Sequence, residues 1–449
     1  MRAPRATRIR SRATRDALRD PLHAERRTAS ARARQVYTPL FSAIMHTMAT
    51  PKLLLALAAS ASALNPLRSV RNLFKPSRAA VAAPEGAKTN YAIVGCGLPS
   101  RGMGWFHGLQ LVEGECPSGK LSDIVEPWFL GGGKDSDAGK VFAAECVDSW
   151  SPDVAFQAGL SKSTWSGAAP GEPKLALIAG RTVDNPGFFQ QALDSGATHI
   201  LLEKPGAPTV GELESMAATA EKADVPVFMG FIKNIAPYFT QALDAYGKHP
   251  GSLVTLTSLN DYTEESLGEC FERNAEGMLK NMAIHELALA ATFFGMTADS
   301  IADVAVDAGN CDCRTIGAYT DFAKIDFTLT NKAGGKLRIV ADRCGGDGCF
   351  ASVADGSQIV FEAEMVDADR AARVAARQAE HPDWIGYLIT QEDEYKDLKE
   401  RCAAAALAGT FPEGVADIGV AVDALKLAEY LTPVLQKKLM STGSYKTSA

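Results

Sequence analysis

The feature that most limits the fold of this chain is the apolar run Ala92-Ile93-Val94 passing directly into Gly95-Cys96-Gly97-Leu98-Pro99-Ser100-Arg101-Gly102-Met103-Gly104. A short continuous apolar run bounded by turn residues reads as a strand buried on both faces, as in a parallel sheet. Glycines at 95, 97, 102 and 104 permit a tight turn and let the backbone approach a pyrophosphate at the positive end of the following helix. Similar runs recur at Leu175–Ile178 and Ile200–Leu202. Between them, Asn185 is expected to cap a helix that begins at Pro186 and ends at Gly196. Thr209 and Glu212 have capping-box spacing and start another helix, ahead of a strand over Val225–Met229. Alternating βα units of this kind predict a doubly wound parallel sheet, an α/β domain.

Leu121–Val125 reads as the second strand, and it ends in Glu126. A carboxylate there can accept hydrogen bonds from an adenosine ribose and repel a 2'-phosphate, so the expected cofactor of this Rossmann domain is NAD. Arg101 and Lys134 leave NADP open. Gly95, Gly97, Arg101, Gly102 and Glu126 are the candidate cofactor-binding residues of the first domain.

From residue 236 the pattern changes. Residues 252–259, 322–329 and 336–342 alternate apolar and polar with period two, and Asp355-Gly356 marks a further hairpin. This predicts a C-terminal α+β domain with a mostly antiparallel sheet, one face covered and the other free for a partner subunit. A helix from Val415 onward carries Ile418, Val422, Leu425, Leu431 and Leu435 on one stripe and is expected to fold back on the first domain. Expected boundaries are 88–235, 236–438 and a tail over 439–449.

Residues 1–87 read as a targeting presequence. Residues 1–85 hold 16 Lys+Arg against 4 Asp+Glu, leaving 30 against 49 for the remainder. From Met48 the chain shows Lys52, a short apolar segment and small residues at Ala61-Ser62-Ala63, the anatomy of a signal peptide, followed by a basic, acid-free segment like a transit peptide. Stacked signals of this kind resemble bipartite plastid presequences; a mitochondrial or secretory destination is the alternative. The acidic body argues against nucleic-acid binding, and the run Leu53–Ala59 is far shorter than the roughly 20 residues that span a bilayer. Nine cysteines are scattered. Cys311-Asp312-Cys313 and Cys344 with Cys349 lack the C-x2-C pairs of a zinc site, so free thiols and no metal are expected.

The strand at Ile200–Leu202 continues into Glu203-Lys204-Pro205, and here the chain resembles the glucose-fructose oxidoreductase / inositol dehydrogenase (Gfo/Idh/MocA) family. The likeness extends through G-F-I-K-N at 230–234 and E-R-N-A-E-G-M-L-K-N-M-A-I-H at 272–285, and covers roughly residues 88–438. The resemblance implies an NAD(P)-dependent oxidoreductase, with Glu203 and Lys204 at the cofactor, Lys204 also facing the substrate, and oligomerisation through the C-terminal sheet. Independently of any family, Lys204 stands at the carboxyl end of a parallel strand, where ligands of open α/β sheets bind.

Asn281 and His285 are spaced i, i+4 and are expected on one helix face. The family commonly has an aspartate at the position of Asn281. Lys204, His285 and Asn281 are the candidate catalytic residues, and Asn234 and Arg343 the candidate substrate contacts. Together they imply hydride transfer at a secondary alcohol or carbonyl of a sugar, cyclic polyol or related small molecule, with His285 exchanging the proton and Lys204 as electrostatic partner, or the reverse. An NAD-dependent glycosidase and a non-catalytic NAD(P)-binding sensor are the alternatives that the same fold accommodates.

Overall fold

A computed structural model describes residues 86–447 apart from Ser151, Lys162, Ser166, Gly443 and Ser444. The presequence expected over 1–87 lies, up to residue 85, outside the described residues.

The first sheet has six parallel strands in the order β3-β2-β1-β4-β5-β6, formed by β1 (Thr89–Val94), β2 (Gly119–Val125), β3 (Ala155–Gln157), β4 (Lys174–Ile178), β5 (His199–Leu202) and β6 (Val227–Met229). The order reverses between β1 and β4, and the carboxyl ends of those two strands open the crevice in which such sheets bind ligands. The apolar runs lie in the sheet because their side chains are buried on both faces: Ala92, Ile93, Val94, Leu175, Leu177, Leu201 and Leu202 are all inaccessible. Helix α1 (Met103–Val112) follows the glycine turn. Between β2 and β3 the chain makes a π-helical turn at Trp128–Gly132, then α2 (Asp137–Phe142). Helix α3 (Asn185–Ser195) starts one residue earlier than expected, with Asp184 at its N-cap. The Asn185 amide instead donates to the Gly206 carbonyl at 3.1 Å, tying α3 to the loop beyond β5. Helix α4 (Val210–Ala223) is capped as expected by Thr209, whose Oγ1 accepts from the Glu212 amide.

The second sheet runs β13-β12-β7-β11-β10-β9-β14, with β8 also on β10. Its strands are β7 (Leu253–Asp261), β8 (Ile301–Val306), β9 (Asp312–Ile316), β10 (Tyr319–Asn331), β11 (Lys336–Asp342), β12 (Cys344–Asp355), β13 (Gln358–Glu364) and β14 (Tyr445–Thr447). Pairing is antiparallel except at β7–β11 and β9–β14. Val254, Leu256, Ile339, Ala341, Ala351 and Val353 cover one face, against which α5 (Pro237–Lys248) packs at β12 and β13. The segment expected as a tail is partly built into the fold, since β14 adds to the edge at β9.

Helices α6 (Leu267–Arg273), α7 (Met278–Asn281) and α8 (Ile284–Phe294) follow β7. After β13 come α9 (Ala368–Glu380), α10 (Gly386–Thr390), α11 (Glu392–Ala408) and α12 (Ile418–Thr442). Helix α11 closes on the first sheet: the Tyr91 hydroxyl donates to the Lys399 carbonyl at 2.6 Å and the Thr89 hydroxyl to that of Ala403 at 2.9 Å. The stripe on α12 lies against α8 as well as α4. Just before α12, the Met229 amide donates to the Ala416 carbonyl, which covers the outer edge of β6.

Candidate functional site

The glycine turn fits its sequence because side chains have no room there. Gly95 has φ +80°, and a Cβ on it would stand 2.5 Å from the Gly180 Cα. A Cβ on Gly104 would stand 2.2 Å from the Gly95 carbonyl oxygen, and one on Gly102 2.7 Å from that of Cys96. The first turn of α1 therefore rests on the turn that precedes it. Next to this lies a cleft of about 670 Å³, lined by Gly95 and Gly97, by Glu126 and Trp128, and by Arg181 and Asp184 from the β4–α3 loop. Glu126 is buried, its carboxylate accepting from the Gly97 amide at 2.9 Å and the Trp128 amide at 3.0 Å. These two bonds hold the carboxylate at the end of β2 and leave it acceptor capacity toward a ribose. Gly102 and Arg101 sit on the turn itself, with Arg101 exposed outside the lining of the cleft. The β4–α3 loop contribution escaped the sequence reading; its only local signal is Gly180-Arg181 directly after a buried strand.

A second group of side chains meets at the carboxyl end of β5. The half-buried Lys204 donates from Nζ to the main-chain carbonyl of Asn281 at 3.3 Å. Burial lowers its pKa, with Lys233 acting in the same direction and Glu203, Glu276 and Glu286 against it. His285 is 7% exposed, lies edge-on to Phe231 and has no hydrogen-bond partner at Nδ1. Burial, then the charges of Lys204 and Lys233, holds its pKa well below the ordinary 6.5, so the imidazole is neutral.

Asn281 differs from expectation. It ends α7, whereas His285 belongs to α8 after the non-helical Met282-Ala283. The two are therefore not on one unbroken helix, and the Asn281 side chain donates to Glu276 at 2.9 Å. It is the Asn281 main chain that meets Lys204.

Both expected substrate contacts are buried. Asn234 is 1% exposed and its amide donates to Thr292, so it joins the turn after β6 to α8. Arg343, also 1% exposed, is ion-paired with Asp321 at 2.8 Å, hydrogen-bonded to the Phe322 carbonyl and stacked over Phe271. Asp321 in turn accepts from the Met278 amide, so this pair braces the start of α7 rather than contacting a ligand.

Glu203 is likewise turned inward: its Oε1 lies 3.1 Å from Nε2 of His107 on α1. A group that the sequence reading passed over is Lys233, within the same G-F-I-K-N stretch that suggested Asn234. Its Nζ is 2.6 Å from Glu286, the residue after His285, and 3.1 Å from Ser258, and all three are buried. Among the described residues the cysteines are free, and none of them contributes to a cluster of three or more metal-ligating side chains.

Residues 136–231 match a family model described as an oxidoreductase family with an NAD-binding Rossmann fold. No curated protein matches the chain. Among solved structures it is similar to scyllo-inositol dehydrogenase from Lactobacillus casei with bound cofactor NAD(H) and scyllo-inositol, at 13% identity and a TM-score of 0.57, covering 78% of this chain and 98% of that one. A myo-inositol dehydrogenase from Corynebacterium glutamicum aligns at 16% identity and a TM-score of 0.53, covering 79% and 97%. A probable dehydrogenase from Thermotoga maritima aligns at 15% and 0.55, with the same coverage. At these identities the likeness is one of fold, and it takes in both sheets. The matched segment is that of an oxidoreductase family with an NAD-binding Rossmann fold, and the two-domain architecture is the one that these solved structures share.

Proposed function

We propose that the protein is an NAD-dependent oxidoreductase acting on a secondary alcohol, or the corresponding carbonyl, of a cyclic polyol or sugar. The observation that carries this reading is Lys204 at the carboxyl end of β5, bonded to the Asn281 carbonyl and near enough to His285 for its charge to lower that imidazole's pKa, in a sheet whose β1–β4 crevice carries the glycine cradle. Gly95, Gly97 and Gly102 would hold the pyrophosphate, and Glu126 the adenosine ribose, which favours NAD over NADP. When bound, NAD supplies the hydride acceptor or donor.

The chain's own residues then have two tasks. The hydroxyl proton must leave, and the charge developing on the oxygen must be met. Neutral His285 is suited to take the proton, since Nδ1 has no partner that would compete for it. The Lys204 ammonium has one hydrogen bond to Asn281 and retains donors for the substrate oxygen. Glu276, the exposed carboxylate beside Asn281, is suited to neighbouring hydroxyls of a polyol. Support for a polyol comes also from the neighbour crystallised with scyllo-inositol.

The test is titration of the full chain with NADH and NADPH, followed by addition of inositols and sugars while the nicotinamide absorbance is recorded. NADH binding with turnover on one polyol is the expected result, and Lys204→Ala should abolish turnover while leaving NADH binding intact. Binding of neither cofactor overturns the reading.

Two further expectations belong to it. The half-exposed face of the second sheet, where Ile359 is largely uncovered, supports a homo-oligomer, which sedimentation would test. The stacked signals in residues 1–87 support a plastid destination, which a fluorescent fusion of that segment would test.

A further inference from the structure

Behind the Glu203-Lys204-Pro205 triplet lies a buried chain of polar groups that the proposed reaction does not yet use. Glu203 Oε1 is 3.1 Å from His107 Nε2, and His107 Nδ1 is 3.1 Å from the Nζ of Lys399 on α11. His107 and Lys399 are both wholly inaccessible to solvent. Lys399 Nζ also donates to the side-chain oxygen of Gln110 and, at 2.9 Å, to the Tyr395 carbonyl. An ammonium has three donors and no acceptor, and here there are three acceptors for them. The imidazole is thereby fixed: Nδ1 accepts from lysine, so Nε2 carries the hydrogen and donates to Glu203. Gly230 leaves the room that the carboxylate occupies, because a Cβ there would stand 2.6 Å from Glu203 Oε1.

The arrangement is unusual in its charges. Lys399 has no carboxylate in direct contact; its compensating charge is Glu203, on the far side of a neutral ring. Glu203 is also the nearest acidic neighbour in sequence to Lys204, whose ammonium it favours. One buried carboxylate thus serves two lysines, one through His107 and one at the substrate site.

We propose that Lys399 is a positioning residue for the reaction: through His107 it determines how much of the Glu203 charge is available to the Lys204 ammonium. The proposal rests on the oxidoreductase reading for its consequence in catalysis, but the coupling between the two lysines does not. While Lys399 is charged, Glu203 is shared; once Lys399 loses its proton, Glu203 answers to Lys204 alone, and Lys204 holds its own proton more tightly.

Other charges bear on each end. Around Lys399, burial brings the pKa down to about 7, opposed by Cys116, Glu203 and Glu115, while Lys396 on its own helix lowers it further. Its neighbours Tyr91 and Tyr395 have pKa values held well above 10 by burial, so they stay neutral around pH 7. Around Lys204 the other charged groups are Lys233, Glu276 and Glu286. Lys233 and Glu286 are paired with each other, which leaves Lys399 as the buried charge most readily changed near neutral pH.

The test is a pH titration of the full chain carrying 13C,15N-lysine, following the Lys204 side-chain signals, assigned with Lys204→Arg. In the unmodified protein, the Lys204 trace should show a second inflection coinciding with the titration of Lys399. In Lys399→Met that inflection should vanish. His107→Gln, which interrupts the link while leaving Lys399 in place, should also remove the inflection. A Lys204 trace with no inflection in the unmodified protein overturns the proposal whether or not the variants fold.

Turnover is read separately. In the Lys399→Met enzyme, the step in the kcat/KM profile that coincides with the titration of Lys399 should disappear, with an unchanged KM for NAD. A uniform loss of kcat at every pH, with that step retained, overturns the positioning role. Absence of turnover on every polyol sinks the oxidoreductase reading and leaves the lysine titrations to decide the coupling.

Discussion

Lys233 and Glu286 face each other at 2.6 Å inside the protein, with 3% and 1% of their side chains exposed, and Glu286 is the residue next to His285 in sequence. Burial pulls the Lys233 ammonium down, but the groups around it, Cys349 and Glu286 first among them, more than reverse this and hold the proton firmly. Removing one partner strands the other charge in a dry site. Lys233→Met is expected to cost about 3–5 kcal/mol of stability. Denaturant unfolding checks it, and Lys233→Met combined with Glu286→Leu should recover much of the loss.

Gly104→Ala should separate fold from cofactor binding. The added methyl would stand 2.2 Å from the Gly95 carbonyl oxygen, so the turn must move. Far-UV circular dichroism should be preserved while NADH affinity falls by about tenfold or more, a change of about 1.4 kcal/mol. Unchanged affinity in fluorescence titration would place the dinucleotide elsewhere.

Glu126→Gln removes the charge that would oppose a 2'-phosphate and keeps an acceptor for one of the two amides, since Gly97 and Trp128 donate to different carboxylate oxygens. NADH should bind more weakly, NADPH less weakly, and the ratio of the two dissociation constants should narrow. Parallel titrations with both cofactors measure it.

Stability should fall on mild acidification. Burial, then the charge of Lys399, lowers the His107 pKa from 6.5 to about 4. The unfolded chain therefore binds a proton between these values that the folded protein refuses. The folded state is fully favoured above pH 6.5 and loses about 3 kcal/mol as pH falls to about 4. His199 and His285 are shifted in the same direction and add to the slope. Urea unfolding at a series of pH values should show this loss, shallower in His107→Gln.

What could be read in the sequence was what has a local cause. Val94 and Ile178 lie in strands because unbroken apolar runs suit a sheet covered on both sides, and Thr209 caps α4 because its hydroxyl reaches an amide three residues on. Lys204 follows a buried strand, so its place at the sheet's carboxyl end was legible too. Arg343 was not, because nothing nearby shows that Asp321 and Phe322 will enclose it. Lys233 meets Glu286 across 53 residues, and Lys399 meets His107 across 292. Such pairings have no periodic signature. The break between Asn281 and His285 was missed because an i, i+4 spacing is blind to a bend between the two positions.

The bonds from Thr89 and Tyr91 to the carbonyls of Ala403 and Lys399 bear on how the protein is made. During synthesis β1 leaves the ribosome early, yet the Thr89 and Tyr91 hydroxyls find their acceptors only after some 300 further residues have followed. Until then the nascent Rossmann half has an uncovered flank where α11 will dock. A fragment stopping at the end of the first sheet would keep that flank permanently, and the seam between the two halves of the chain is closed last, from its far end.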